Sequence, residues 1–229
     1  MSTIERPEIE VLPALFAGER LDQPEFHRRY AAMPEATRAE LVGGIVHMPS
    51  PLGYDHGDED HVVVFWLMSY CRATRPLRSS GNATVKLGPS AEVQPDAQLR
   101  IPEELGGASK IVGGYVVGPP ELVVEIAQSS RGYDLGPKKA EYEKAGVLEY
   151  LFIGIEPDEV RWFALVDGRY EAISPEADGS IRSRTFPGLW LDPIPLFEKD
   201  LDGLIGGLER GLASAEHARF APELAGRRG

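Results

Sequence analysis

Apolar residues in this chain fall into short runs whose period changes along the sequence. From His56 to Ala73, Val62, Phe65, Trp66, Ser69 and Tyr70 recur at helical spacing and predict the chain's best amphipathic helix. A shorter helix is expected over Leu21–Met33, capped by Asp22, with Phe26 and Tyr30 one turn apart. Glu40-Leu41-Val42 and Ile45-Val46-His47 flank Gly43-Gly44, which reads as a hairpin with a tight positive-φ turn. Pro49–Gly53 reads as a loop, and Thr84–Leu87 and Pro95–Ile101 as strands. Residues 102–118 form a Gly-rich excursion, an extended loop or an extra hairpin around Tyr115-Val116-Val117. Leu122–Ala127 and Leu148–Ile155 are near-continuous apolar runs, expected as core strands. Between them a helix is predicted from Leu135 to Ala145, with Asp134 as N-cap, Pro137 in the first turn and Gly146 as left-handed stop. Strands follow at 160–166, 169–173 and 180–184, separated by Asp167-Gly168 and Asp178-Gly179 turns. Then come a Pro-broken apolar stretch (Phe186–Phe197), a last helix (Asp202–Glu209) and a frayed tail over 210–229.

This order predicts an α/β (α+β) fold with a mixed β-sheet flanked by helices. The expected organisation is an N-terminal arm (1–20), a main domain (21–200) with an N-terminal hairpin and additional C-terminal strands, and a C-terminal helix and tail (201–229).

Charge complicates the picture. With 24 Lys and Arg against 36 Asp and Glu, the formal net charge is -12. That disfavours a broad phosphate-gripping surface but leaves room for local basic patches. Arg72, Arg75 and Arg78 form one such cluster, and Arg161, Arg182 and Arg184 another. The single cysteine, Cys71, excludes an internal disulfide and a Cys-based zinc site and points to a reducing compartment. The N-terminus lacks a signal-peptide pattern, and no apolar run reaches the roughly 20 residues of a membrane span. A cytoplasmic protein without membrane association is expected. Phosphate-loop, dinucleotide-binding and nucleophile-elbow motifs are absent from the sequence.

Candidate chemistry centres on Asp96, Glu125 and Lys138. A carboxylate inside an apolar strand is costly unless it is paired or binds a cation. Side chains alternate along 122–127, so Val123, Glu125 and Ala127 share one face. Two acids and a lysine are the minimal set for hydrolysing a phosphodiester: the acids hold a hard divalent ion, and the lysine orients water or balances developing charge. Blander readings compete. Asp96 can start a turn, Glu125 can form a structural ion pair, and Lys138 or Lys139 can be a solvated helix charge. Tyr142 reads as core packing, Glu40 as exposed or functional, and Asp134 as a cap before a ligand. His56 and His61 are five apart, which does not match a helical zinc pair.

Several segments together resemble the bacterial Uma-two family, placed in the PD-(D/E)-x-K nuclease superfamily with its restriction-endonuclease-like fold. They are Glu40-Leu41-Val42-x-Gly44; Met48-x-x-Pro51 followed by His56; Gln94-Pro95-Asp96; and Pro120-Glu121-Leu122-Val123-Val124-Glu125-Ile126. Asp134-x-x-x-Lys138-x-x-x-Tyr142, Ala145-Gly146-Val147-x-Glu149-Tyr150 and Phe186-Pro187-Gly188-Leu189 continue the pattern. The resemblance implies Asp96 and Glu125 as ligands of Mg²⁺ or Mn²⁺, and Glu40 as an accessory acid. In the common motif the lysine lies two residues past the acid; Ala127 stands there, so Lys138 is the implied migrated lysine. Ala127-Gln128-Ser129-Ser130 departs from the family's usual Leu-Ser-Pro-Ser and makes Gln128 a polar neighbour to test, and His56 is a further one. The implied activity is a metal-dependent endonuclease acting on nucleic acid, with DNA as substrate. The alternative is a catalytically inactive nuclease fold kept as a binding or regulatory module, with a homodimer open under either reading.

Overall fold

The apolar runs around 122–127 and 149–155 are neighbours in space, and the rest of the chain is arranged about them. The computed structural model describes residues 12–34, 36–49 and 54–227, with the side chains of 54–56 left aside; all but Pro49 of the predicted loop at Pro49–Gly53, and most of the arm, lie outside this range. In chain order the first elements are α1 (Gln23–Tyr30), β1 (Glu40–Val42), β2 (Ile45–His47), α2 (Tyr54–Ala73) and β3 (Arg78–Gly81). Then follow β4 (Val85–Gly88), β5 (Ala91–Val93), β6 (Ala97–Arg100), β7 (Lys110–Val112), β8 (Tyr115–Val117) and β9 (Leu122–Ala127). A helical crossover comes next, built of a single turn α3 (Arg131–Tyr133), a wide turn over Asp134–Lys138, and α4 (Lys139–Ala145). The chain continues as β10 (Glu149–Ile155), β11 (Asp158–Val166), β12 (Arg169–Ala172), β13 (Ile181–Arg182) and β14 (Trp190–Leu191). It closes with α5 (Pro193–Glu198), α6 (Leu201–Leu212) and α7 (Ala215–Gly226).

Two six-stranded mixed sheets result, ordered β12-β11-β10-β9-β6-β3 and β2-β1-β5-β4-β8-β7, with β13 and β14 paired apart. β9 and β10 are parallel, as a helical crossover between them requires. Residues at 122, 124 and 126 enter a core with Val62, Trp66 and Tyr70 of α2 and Leu204 and Leu208 of α6. Val123 and Ala127 face the other way, towards Tyr142, Tyr150 and the second sheet's Val42, Val85 and Val93. Helices therefore cover one face of the main sheet, and the crossover with the second sheet covers the other.

Local chemistry accounts for the boundaries. Asp22 Oδ1 accepts from Glu25 N at 2.9 Å and starts α1. Gly43 and Gly44 take φ of 60° and 74°, the mirror-image turn a two-residue hairpin needs. Buried Arg29 donates to Pro13 O at 3.0 Å and Ala14 O at 2.6 Å, fixing the described end of the arm. Two buried acids hold loops. Glu121 accepts from Ile101 N at 2.7 Å and Ala108 N at 2.9 Å, and Glu149 Oε1 from Arg184 N at 2.7 Å and Thr185 N at 2.6 Å.

Several expectations change. Phe65 shares helical spacing with Trp66's face but is 47% exposed; the buried stripe runs through Val62, Val63, Trp66, Leu67 and Tyr70. β3 and β5 were not expected, because Arg78-Ser79-Ser80-Gly81 and Ala91-Glu92-Val93 are too short and polar to show a period. The 102–118 excursion contains a real hairpin, β7–β8. Helical backbone begins at Arg131, before Leu135, and Asp134 is not an N-cap: its φ/ψ of −70°/−42° is helical. Nor are the described residues 210–227 a frayed tail. α6 extends to Leu212, and α7 docks through fully buried Leu224 and through His217, whose Nδ1 donates to Leu212 O at 3.0 Å and whose Nε2 meets Thr74 Oγ1 at 2.8 Å. α6 lies tight on the Phe186–Leu189 turn because neither contact residue has a side chain: a Cβ on Gly211 would stand 2.3 Å from Gly188 O. Among the described residues no helix is long and apolar enough to cross a membrane.

A docked C-terminal helix makes a direct prediction. Leu224→Ala should destabilise the protein by roughly 2–4 kcal/mol in urea unfolding, the cost of a fully buried leucine. Exposed Glu223→Ala should leave the midpoint unchanged.

Candidate active site

β6 and β9 pair antiparallel with Ala97 opposite Val124, so the next position of that register sets Asp96 opposite Glu125. Asp96 lies one residue before β6 begins, and its Oδ2 accepts from Ile126 N at 2.7 Å. That bond points the aspartate across the end of β9. Glu125 is sent by strand alternation to the face under the crossover, where it is 3% exposed.

The lysine arrives from the wide turn. Gly136 adopts non-helical φ/ψ of −105°/−108° and Pro137 follows it, so the helical path is broken at that point. Lys138, only 4% exposed, places Nζ 2.9 Å from Glu125 Oε1 and 2.9 Å from Glu40 Oε1. Lys139 turns away, its ammonium 3.9 Å from the centre of the Phe163 ring. One turn further on, Tyr142 is fully buried and its hydroxyl donates to Glu125 Oε1 at 2.5 Å. Glu40, on β1, also accepts from Gln94 N at 2.7 Å. The cleft is lined by these acids and the lysine together with Arg38, Pro49, Asn82, Gln94, Ser130, Tyr133 and Asp134.

Four carboxyl groups thus surround one ammonium. Burial pushes the Glu125 carboxyl well above its ordinary value, with Lys138 opposing and the neighbouring acids reinforcing the rise. Burial works against the Lys138 ammonium, but Glu125, Glu40, Asp134 and Asp96 together overcome it and hold its pKa well above the lysine range. Asp134 is pushed up to about 6 by burial, with Lys138 and the Ser130 hydroxyl opposing. The geometry gathers acidic groups around a single fixed cation.

Asp96, Glu125, Lys138 and Glu40 therefore converge, as does Asp134, read from the sequence as a cap ahead of a ligand. Gln128 does not line the cleft. His56 falls outside the described side chains, and His61 is exposed on α2. Neither basic cluster reaches the cleft: Arg72, Arg75 and Arg78 line a separate pocket, and Arg182 and Arg184 another. Tyr142 was expected as plain core packing, and its contact with Glu125 was missed. The i, i+4, i+8 spacing of Asp134, Lys138 and Tyr142 carried the signal, because it puts all three on one face of a helix. Arg38, Asn82 and Tyr133 were also missed; nothing in their local sequence marks them.

The arrangement is that of a nuclease fold. Among solved structures, it is similar to a crystal structure described as a putative nuclease belonging to DUF820 from Anabaena variabilis. The TM-score is 0.58 at 21% sequence identity, covering 75% of this chain and 96% of that one. The chain belongs to the Uma2 family, described as putative restriction endonuclease, whose pattern matches residues 23–194. Among curated proteins none matches.

Asp134 supplies a stability test. Its folded pKa of about 6 lies above the ordinary 3.8, so folding favours the protonated form. Stability of the metal-free protein is then lost as pH rises from about 4 through 6, by at most about 3 kcal/mol. Asp134→Asn should raise the thermal midpoint at pH 8 by several degrees and leave it nearly unchanged at pH 4. Equal shifts at both values would show that ionisation of Asp134 carries no such cost.

Proposed function

We propose that this protein is a metal-dependent nuclease that hydrolyses phosphodiester bonds in DNA. The observation that carries the reading is the convergence of Asp96 and Glu125 on one cleft with a lysine bonded to the second of them.

The donor set suits a hard cation. Asp96 Oδ2 accepts from Ile126 N, and Glu125 Oε1 is engaged by Tyr142 and Lys138, which leaves Glu125 Oε2 for another partner. Among the described residues no three His, Cys, Asp or Glu side chains are gathered as a complete metal cage. Mg²⁺ and Mn²⁺ suit such a site, since Mg²⁺ commonly keeps several waters and takes only one or two carboxylates. The residues that would hold it are Asp96 and Glu125. When bound, the ion supplies Lewis-acid polarisation of the scissile phosphate and a water of lowered pKa.

The chain's own groups divide the remaining work. Lys138 has three N–H donors; Glu40 and Glu125 take two, and the third is left for a water or a phosphate oxygen. There it orients the nucleophile or balances charge in the transition state. Glu40 acts by positioning Lys138, and Gln94 N fixes Glu40 in turn. Tyr142 holds Glu125 in one orientation. Exposed Arg38 lines the cleft and offers a guanidinium to a neighbouring phosphate.

A second reading, a catalytically inactive nuclease fold kept as a binding or regulatory module, draws on the scarcity of basic residues in the cleft, where Arg38 and Lys138 are the cations among the lining residues. Cleavage assays separate the two. Asp96→Ala and Glu125→Ala should each abolish Mn²⁺- or Mg²⁺-dependent cleavage of plasmid DNA while the far-UV spectrum stays intact. Lys138→Ala should slow cleavage by about 10²-fold or more, and Lys139→Ala should stay within about twofold of wild type. DNA binding without any cleavage in wild type would assign the fold to the binding role. Cleavage that persists in both acid variants would remove these residues from the chemistry.

A further inference from the structure

The clearest feature outside the cleft is a pocket between the C-terminal part of α2 and the strand β3. It is lined by Arg72, Arg75 and Arg78 with Met68, Cys71 and Ser79, among others, and no carboxylate lines it. This is unusual in a chain of net charge -12. Five other surface arginines have acidic partners: Arg28 with Glu25, Arg131 and Arg161 with Glu159, Arg169 with Glu143, and Arg182 with Asp178. Arg72 and Arg75 are exposed and have no ion pair or hydrogen bond among the described residues. Arg78 donates to Pro76 O at 2.9 Å and Leu77 O at 3.3 Å, so its guanidinium is held by backbone and its charge is not neutralised. Ser79 Oγ is buried with no hydrogen-bond partner among the described residues. Burial pushes the Cys71 thiol up to about 12, so the thiol adds no negative charge.

The pocket is also placed in line with the cleft. β3 is the edge strand of the main sheet. Arg78 begins it, Gly81 ends it, and Asn82, the next residue, lines the cleft. α2 runs alongside, its Asp60 accepting from Asn82 Nδ2 at 3.3 Å near the cleft end and its Arg72 lining the pocket at the other. Four residue steps lead from Arg78 to Asn82, roughly 13 Å of extended chain. That is the axial rise of about four phosphates of one strand of duplex DNA.

We propose that the Arg72–Arg75–Arg78 pocket is a backbone-phosphate subsite for duplex DNA, spaced from the scissile bond by the edge strand β3. Arginine suits the task because its fork matches phosphate oxygens bidentately. The subsite lets an acidic protein hold DNA through one local patch. This inference rests on the nuclease reading, which it supplies with a substrate contact distant from the chemistry.

The test compares wild type with the Arg72→Ala/Arg75→Ala/Arg78→Ala variant and its triple Arg→Lys counterpart. Fluorescence anisotropy with a labelled 20-bp duplex, Ca²⁺ replacing Mg²⁺, is measured from 50 to 200 mM KCl. The alanine variant should bind about 10-fold or more weakly, with the slope of log K against log salt reduced by about 2–3. The lysine variant should keep most of the slope. In Mg²⁺ the alanine variant should show a raised KM and a kcat within about twofold of wild type. Matching thermal midpoints show that the fold is intact. Loss of affinity in a protein that never cleaves would support the subsite and sink the nuclease reading. Cleavage by wild type with unchanged affinity and slope in the alanine variant would overturn the subsite alone. Failure of wild type to bind duplex would overturn both. Inorganic phosphate that stabilises wild type but not the alanine variant, with duplex affinity unaffected, would make the pocket a small-anion site and overturn the proposal.

Discussion

The structure around the cleft depends on one buried ammonium. Lys138 sits between Glu40 and Glu125 at 2.9 Å from each. Glu40 belongs to the second sheet and Glu125 to the main sheet, so a single charge ties the two sheets together. Taking three charged groups out of water costs several kcal/mol each before pairing. The interaction therefore persists only because each member is held from behind. Gln94 N fixes Glu40, Tyr142 fixes Glu125, and the broken turn at Gly136-Pro137 delivers Lys138. Burial that looks wasteful as a source of stability makes sense as positioning: a half-satisfied network here would be worse than an apolar one.

The two neighbouring lysines show how narrowly the site is specified. They differ by one step of about 100° around a helix. Lys138 enters the acidic centre, while Lys139 lies over Phe163 and Tyr170, which spread its charge across aromatic faces. The register of β6 against β9 is equally selective. A slip of one residue would move Asp96 away from Glu125 and send Ala97 out of the core it shares with Leu99.

Much of this was legible in the sequence, for identifiable reasons. β9 could be read because an apolar run of six contains one acid, which is conspicuous against its background. The N-terminal hairpin was legible through Gly43-Gly44, and the end of α4 through Gly146, which takes φ of 86°. Lys138 was implied over Lys139 by the family resemblance, through the match of Asp134-x-x-x-Lys138-x-x-x-Tyr142. The parts that escaped depend on tertiary contacts. Arg78-Ser79-Ser80-Gly81 becomes strand only because β6 is there to pair with it. The last helix has a mean composition close to that of a solvated tail and is ordered by Leu224 and by the hydrogen bonds of His217. Asp134 carries a good capping side chain, but the helical turn preceding it supplies its context, and it becomes a buried acid instead. Phe65 follows the period of its helix yet lies just beyond the edge of the buried stripe, a distinction that periodicity cannot resolve.

The site's components are spread over β1, the approach to β6, β9 and the crossover after it, and this order has a consequence for synthesis. On the ribosome Glu40, Asp96 and Glu125 all emerge before Lys138 and Tyr142. A nascent chain that has exposed only the acids has neither the ammonium that joins them nor the phenol that aims Glu125. Its carboxylates repel one another, and the two sheets lack the charge that links them. The centre is completed only when the helical segment that follows β9 closes over it. Folding order thus keeps an unfinished chain from carrying a finished site.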